Sequence, residues 1–511
     1  MKKIKMTLAA VLCCTMAIPL LANCNSDNAV VPDKSKDLAE YTVIYFVSNG
    51  LSEDHDFDDQ IAAVQPLLSD NKSVRFYCFN KYGRASEFFS GRYGDPGMVL
   101  EFELTSKTNL DSLRYTSVAG DSTLVLWNPA VLQGVLDRVV EKAPAKQYVL
   151  VIEGHGIGFA PDLDYPKDGP LWNTWVPRMW KSAPQASPRK LKMRGLLRDN
   201  YNGGPDMNMY DLSKAISTSK LGHLPLMMLN VCSMGDLESV TEIKDLVDYL
   251  IASPFAVSEN PAPVTELVRA LQQKKGIKAQ VEQMFRLMRE GWIREYKEDC
   301  GGWTANMALY NLSQLDDVIA QMKRLCDRLC EIYPNNREAI HSAADKVYRY
   351  NNEPHYDSMD YARLLAELTG DAEIKDIYEK MAAAYDKVIV YETQYVENYP
   401  TLPRFSLGFS LFDNDYFVYA PTRGEWCFAD CYEMCTFHKL TNWGRWLRMH
   451  EKTPTGNPCG QVERTPTSPF LTKSKKKLKF RQVFFRHELF RYLCISKSRP
   501  ITIWNKTGTA T

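Results

Sequence analysis

Two chemically reactive side chains each follow a strand-like apolar segment. Residues 147–156 read QYVLVIEGHG and carry His155 near their end, and residues 224–232 read LPLMMLNVC and end in Cys232. In an open parallel sheet, reactive groups gather at the carboxyl ends of the strands. A thiolate with a nearby imidazole can transfer an acyl group through a covalent intermediate. Either residue alone is more typical of a packed core, so the pairing is what predicts a nucleophilic site.

The segments that must position this pair alternate between strand and helix. Apolar patterns predict strands at 42–47, 74–79, 99–104, 148–152, 224–231 and 249–253, and helical spacing predicts helices at 57–68, 129–140, 207–217 and 236–247. Residues 264–386 have almost continuous helical patterning, and late strands are expected at 405–412 and 416–420. Such alternation favours parallel strands joined by right-handed helical crossovers. We therefore expect an α/β fold: a mostly parallel sheet flanked by helices, with a helical C-terminal subdomain.

The N-terminus has the features of an export signal. A basic start, MKKIK, precedes an apolar stretch to Leu21 that is too short to span a bilayer as a mature helix. Residues 21–24 resemble a bacterial lipoprotein cleavage site, although Asn23 is bulkier than the small residue usual there. We expect an exported bacterial protein that is either anchored in the cell-envelope membrane through a lipid on Cys24 or secreted.

Composition divides the chain into five segments. We assign the signal to residues 1–24, a flexible tether to 25–40, the α/β core to 41–262, a mainly helical region with late strands to 263–452, and a basic tail to 453–511. Like-charge blocks rarely fold, so the tail is expected to be disordered, with docking to an acidic envelope surface as the alternative. The net charge of zero gives no general attraction to nucleic acid. We expect a monomer that binds no nucleic acid.

Several motifs together carry a family resemblance over residues 41–447. They are SNG at 48–50 after the opening strand, the pair of His155 and Gly156, and NVCSMG at 230–235. Glu238, the strand at 249–253, YNLSQL at 310–315 and the segment 437–446 fit as well. In this combination the chain resembles the clostripain-type cysteine peptidases, which belong to the caspase-like clan. The resemblance implies a caspase-like core and a cysteine endopeptidase that acts on polypeptides.

The resemblance also assigns roles to individual residues. In that family a histidine and a cysteine on neighbouring strands form a catalytic dyad, which here implies His155 and Cys232. Backbone amides of Gly156 and Cys232 would hold the tetrahedral oxyanion. A helix beginning near residues 233–236 would favour the thiolate. Family members commonly cut themselves between histidine and cysteine, and the long basic loop at 157–204 is the expected location.

The expected specificity pocket departs from the family pattern. Members that cleave after arginine or lysine are expected to carry an acid two residues before the nucleophile, where this chain has Asn230. The second acid would fall in the loop that contains Glu259 and Asn260. A carboxylate pairs with a guanidinium through charged hydrogen bonds, whereas an amide offers a neutral acceptor. Two hypotheses stay open: Glu259 restores a preference for basic side chains, or the pocket suits polar or small ones.

This departure leaves a second class of function open. The alternative to an endopeptidase is a catalytically inactive envelope lipoprotein of the same fold that binds peptides or partners. A zinc site at Cys427, Cys431, Cys435 and His438 is disfavoured because structural zinc sites pair cysteines at shorter spacings. No metal or other cofactor is expected from the residues themselves. Calcium is implied only by analogy with the family.

Overall fold

The most apolar segments of the chain form the strands of a central sheet. The computed structural model describes residues 38–48, 54–68, 73–81, 99–110, 126, 128–154, 156–161, 193–196, 207–255, 257, 262–296, 307–350, 355–392, 406–411, 432 and 435–451. Their strands are β1 (Ala39–Ser48), β2 (Val74–Lys81), β3 (Val99–Leu104), β4 (Ala145–Gly154), β5 (Gly156–Pro161), β6 (Met193–Leu196), β7 (Leu224–Asn230), β8 (Val247–Ala252), β9 (Ala308–Asn311), β10 (Tyr356–Asp357), β11 (Ile389–Glu392) and β12 (Gly408–Phe409).

Eight of these strands form one mixed, mostly parallel sheet. Their order is β11-β9-β8-β7-β4-β1-β2-β3. Strands β8, β7, β4, β1 and β2 pair in parallel, whereas β3 and β9 are antiparallel to their neighbours. The expected parallel α/β sheet is therefore confirmed, with antiparallel strands added on both sides. Two short pairs, β5 with β6 and β10 with β12, lie outside it.

Helices cover both faces of the sheet. They are α1 (Asp54–Val64), α2 (Pro129–Lys142), α3 (Met209–Thr218), α4 (Leu237–Thr241), α5 (Val264–Leu271), α6 (Ile277–Tyr296), α7 (Leu315–Lys346), α8 (Ser358–Thr369), α9 (Ala372–Val388), α10 (Thr436–Thr441) and α11 (Trp443–Glu451). No helix among the described residues is both long and apolar enough to cross a membrane. All described residues belong to the first of the two units of the chain, Met1–Gly460.

Alternate residues of the central strands feed two separate cores. In β1, Phe46 packs into the core on one face, which includes α2, α3 and α7, and Tyr45 packs into the core on the other, which includes α1, α5 and α6. This division follows from the twofold alternation of side chains along a strand. Burial on both faces explains why β1, β4 and β7 read as nearly unbroken apolar runs in the sequence.

The structure differs from the expected elements at three places. The helix predicted at 236–247 is wrong in length: α4 ends at Thr241, because the chain turns over 242–246 to enter β8. The nearly continuous helix at 264–386 is interrupted by β9, which joins the main sheet. Of the late strands, β12 lies within 405–412, and residues 416–420 lie outside the described part of the chain.

Candidate active site

The two strands that lead to His155 and Cys232 are neighbours in the sheet. β4 and β7 are parallel, and Glu153 pairs with Asn230 in the register. Their carboxyl ends therefore finish at the same level of the same edge, which is where ligands gather in such sheets. His155 itself lies outside the described residues, whereas Gly154 and Gly156 on either side of it are described as the end of β4 and the start of β5.

Cys232 lies two residues beyond the end of β7. The residue is partly exposed, and its Sγ donates a hydrogen bond to the carbonyl oxygen of Val257 at 4.0 Å. The other cysteines of the described residues, Cys78, Cys326, Cys330 and Cys435, are buried. Burial raises the pKa of the Cys78 thiol. Cys232 is thus the most exposed of the described cysteines.

The turn after Cys232 is bonded to the segment that follows β8. The amide of Ser233 donates to the carbonyl of Phe255 at 2.8 Å, and the amide of Gly235 donates to that of Ser253 at 2.8 Å. Ser233 has a φ of +60°, a conformation that non-glycine residues seldom adopt. A Cβ on Gly235 would lie 2.6 Å from the nitrogen of Pro254. The turn is therefore closely held, and glycine is required at 235.

The helix expected to begin near residues 233–236 is present, with Asp236 as its N-cap, but it is short. Helix α4 begins at Leu237, five residues after Cys232, and has only five residues. Asp236 caps it: its carboxylate accepts from the amide of Ser239 at 2.8 Å and from that of Phe159 at 3.3 Å. Because a carboxylate already occupies this end, the helix supplies little positive potential to the thiolate.

A second buried carboxylate, that of Glu238, lies two residues after Asp236. Glu238 accepts a hydrogen bond from the Tyr432 hydroxyl and another from the amide of Ser410 at 2.8 Å. Burial raises the pKa of both Asp236 and Glu238, and the charge of Asp236 raises that of Glu238 further. Both groups are fully buried, so they serve structure beneath the site and do not face substrate.

A C-terminal segment supports the Cys232 turn from behind. The amide of Gly408 donates to the carbonyl of Gly235 at 2.8 Å, and Asp236 forms a parallel bridge with Gly408. Together with the bonds of Glu238, these contacts join residues more than 170 positions apart in sequence. We name this support, residues 355–357, 406–411 and 432, the C-terminal brace. Sequence patterns do not reveal it, because no periodicity links its members.

The candidate pocket residues divide between described and undescribed positions. Asn230 is 6% exposed, and Glu259 and Asn260 lie outside the described residues. Glu153, its partner in β4, is buried and accepts from the Tyr45 hydroxyl at 2.8 Å and from the amide of Ala262 at 2.9 Å. The loop that follows β8 is thus tied back to the strand that precedes His155. Glu153 has one signal in the sequence: it lies two residues before His155, as Asn230 lies two residues before Cys232.

Two described strands in the segment between His155 and Cys232 form a small antiparallel pair. β5 pairs antiparallel with β6, with Pro161 opposite Met193 and Ala160 opposite Arg194. Residues 162–192 and 197–206 lie outside the described residues. Among the described residues, no group of three or more His, Cys, Asp or Glu is arranged to hold a metal ion. Cys435 instead caps α10, where its Sγ accepts from the amide of His438 at 3.5 Å.

A comparison with family models decides the membership of the chain. The model described as the clostripain family matches residues 179–443, just over half of the sequence. The chain belongs to the clostripain family. It is a clostripain-like cysteine peptidase, and the resemblance noted from the motifs is confirmed. No curated protein sequence matches the chain.

Solved structures agree with the family on the fold. A secreted C11 cysteine protease from Bacteroides thetaiotaomicron, in complex with an irreversible peptide inhibitor, is similar with a TM-score of 0.50 and 15% identity, over 80% of this chain and 99% of that one. An inactive zymogen C11 protease from Parabacteroides distasonis has a TM-score of 0.49 and 14% identity, over 79% of this chain and 98% of that one. The first of these similarities supports the α/β fold of the chain.

Proposed function

We propose that this clostripain-family chain is an exported endopeptidase in which Cys232 is the nucleophile and His155 the general acid and base. The thiolate attacks the peptide carbonyl, and the imidazolium protonates the departing amine. Water then hydrolyses the acyl-enzyme with His155 as base. The observation that carries this proposal is the parallel register of β4 and β7 together with a partly exposed Cys232 at their common edge.

The oxyanion of the tetrahedral intermediate needs hydrogen-bond donors at the same edge. We propose the backbone amides of Gly156 and Cys232 for this role, because each follows one of the two adjacent strands. The amides of Ser233 and Gly235 are already bonded to carbonyl oxygens, so they are poor candidates. Preorganised donors at such a position typically contribute 10²–10³ in rate, on the order of 3–4 kcal/mol.

The side chain accepted before the cleaved bond depends on the pocket beside Asn230. A neutral amide there lowers the preference for arginine and lysine, unless Glu259 supplies the missing charge. We propose that Asn230 forms the wall of this pocket, with Glu259 and Asn260 on the loop that Ala262 ties to Glu153.

Maturation and location complete the proposal. The proteins solved from Bacteroides and Parabacteroides are named a secreted protease and an inactive zymogen, respectively. For this chain we propose export by the N-terminal signal, a lipid anchor on Cys24, and self-cleavage within 157–204. A polypeptide is the substrate.

Peptide hydrolysis with matched variants tests the proposal. Purified wild type, Cys232→Ala and His155→Ala are compared on a library of peptides that varies the residue before the cleaved bond. Loss of cleavage by at least 10³-fold in both variants is expected, because each removes one half of the acyl-transfer machinery. Peptide binding without cleavage by the wild type would support the inactive-binder alternative instead.

A further inference from the structure

One buried histidine of the C-terminal brace packs against the segment after His155, where that segment contacts the turn after Cys232. His355 has no exposed surface. Gly158 has a φ of +69°, and a Cβ built there would lie 2.0 Å from Cε1 of His355 and 2.5 Å from the carbonyl oxygen of Ser233. The imidazole therefore occupies the space that a side chain at 158 would need, beside the backbone of Ser233.

The backbone that carries this ring is held within the C-terminal brace. The carbonyl of His355 accepts from the amide of Tyr350 at 2.9 Å. A Cβ built on Gly408 would lie 3.4 Å from the Cβ of His355, and the amide of Gly408 bonds the carbonyl of Gly235. His355 is therefore held by the same brace that supports the Cys232 turn.

Gly158 and Ser233 belong to the two segments whose placement decides the geometry of the reaction. Gly158 lies three residues after His155, and Ser233 directly follows Cys232. Ser233 adopts its positive φ of +60°, which costs free energy and persists only where the surroundings enforce it. The distances from Gly158 place it in direct contact with the carbonyl oxygen of Ser233, and the imidazole packs on Gly158 beside that contact.

We propose that His355 is a positioning residue that holds the segment after His155 against the turn after Cys232. The inference rests on the proposed dyad. His355 does not touch substrate; it acts through the backbone of Gly158, on which its ring packs. A misplacement of about 1 Å in reacting groups can cost on the order of 10²-fold in rate. Loss of the ring is therefore expected to lower kcat.

The test separates positioning from mere packing by using a second buried histidine as control. His450, in α11, is 4% exposed and packs on His341 and Trp446, with ring centroids 4.9 Å and 5.1 Å away. His355→Ala is expected to lower kcat by about tenfold or more, with KM within about twofold. His450→Ala is expected to lower the melting temperature similarly while kcat stays within about twofold.

A double variant examines the proposed contact directly. In the wild-type background Gly158→Ala forces the ring to move, and kcat should fall. In the His355→Ala background the clash with the ring is removed, whereas the close approach to the carbonyl oxygen of Ser233 and the positive φ remain. The same change should therefore cost less but still lower kcat, and the effects on kcat should be non-additive. If His355→Ala does not fold, His355→Gln, which keeps much of the side-chain volume, takes its place with a smaller expected loss.

Two results would overturn the inference. One is a folded His355→Ala or His355→Gln protein with wild-type kcat; the other is a loss of kcat in His355→Ala that His450→Ala matches at equal stability. If the wild type cleaves no peptide, the dyad itself fails, and the rate of iodoacetamide labelling at Cys232 replaces kcat. An equal labelling rate in wild type and His355→Ala would then reject the positioning role as well.

Discussion

At the residue scale, Cys232 differs from the other described cysteines in its exposure. Cys78, Cys326 and Cys435 are all buried in the structure. Burial raises the pKa of the Cys78 and Cys435 thiols, which makes them poor nucleophiles. What distinguishes Cys232 is its place just beyond a strand end, where the chain leaves the hydrogen-bonded ladder.

The side chain at 230 offers a prediction about specificity. Asn230→Asp keeps the shape of the buried side chain and adds a carboxylate, which should favour a guanidinium or ammonium in the pocket. The ratio of kcat/KM for arginine over neutral peptides should rise on the order of 10- to 100-fold, since hydrogen bonds to charged groups contribute about 1.5–3 kcal/mol.

Asn80 provides the control for that change. It is fully buried at the carboxyl end of β2, and β4 and β1 lie between β2 and β7. Asn80→Asp should lower stability without altering the ratio of kcat/KM values. An unchanged ratio in Asn230→Asp would place the pocket elsewhere.

At the scale of elements, the turn between β7 and α4 has no spare room. A Cβ on Gly235 would lie 2.6 Å and 2.7 Å from backbone atoms of Pro254 and Ser253. Gly235→Ala must therefore push the two strand ends apart, with an expected loss of about 1–3 kcal/mol in the free energy of unfolding. Peptidase activity should fall with it, because Cys232 belongs to the same turn.

Gly276 is the matched position for this experiment. A Cβ there meets nothing within 4 Å, so Gly276→Ala should change the free energy of unfolding by no more than about 0.5 kcal/mol. Denaturant unfolding and peptide hydrolysis measure both variants. Equal stabilities for the two would show that the turn has room the structure does not reveal.

The buried carboxylate of Glu238 makes the C-terminal brace sensitive to pH. Burial and the charge of Asp236 raise the pKa of Glu238 from its ordinary value of 4.5 to about 7. The folded protein holds this proton more tightly than the unfolded chain. The stability that the group contributes is therefore complete below about pH 4.5 and is lost as the pH rises through about 7.

Melting temperatures measured between pH 5 and pH 8 test whether stability falls as the pH rises. The wild type should lose stability across the range, and Glu238→Gln should lose less, because its amide accepts the same hydrogen bonds without ionising. Glu141→Gln, an exposed change in α2, should keep the wild-type profile. A Glu238→Gln profile parallel to that of the wild type would contradict the assignment.

The central elements could be predicted from sequence because they are buried on both faces. β1, β2, β4 and β7 lie where apolar runs indicated, and β3 matches its predicted bounds. The length of helix α4 could not be predicted, because its amphipathic pattern continues into the turns at 242–246. Strand β9 could not be predicted, because its four residues between helical segments are too few to show the periodicity of a strand.

At the scale of the whole molecule, the C-terminal half contributes to the sheet and to the support of the site. β9 and β11 extend the sheet beyond β8, and Tyr432 and Ser410 bind Glu238. These long-range contacts depend on the tertiary fold, which local patterns do not encode. The dyad candidates could be chosen from the sequence, whereas Glu153 and His355 required the register and the packing. The domain boundary at 262/263 stays a prediction.

Self-cleavage has a consequence for the whole molecule. A cut within 162–192 would leave β5 on one fragment and β6 on the other, and the two strands pair with each other. The wild type should therefore give two bands on a denaturing gel but elute as one species on native size exclusion. Cys232→Ala should stay a single chain. Identical fragments from both proteins would point to a different protease.

The pH dependence of thiol alkylation tests the central claim most directly. Iodoacetamide labelling is followed by peptide mapping, so that the rate at Cys232 is measured apart from the rates at other cysteines. A thiolate paired with His155 should be labelled rapidly well below pH 8, and His155→Ala should return it to the behaviour of an ordinary thiol, whose pKa is about 8.5. Ordinary thiol behaviour of Cys232 in the wild type, unchanged in His155→Ala, would contradict the proposed nucleophile.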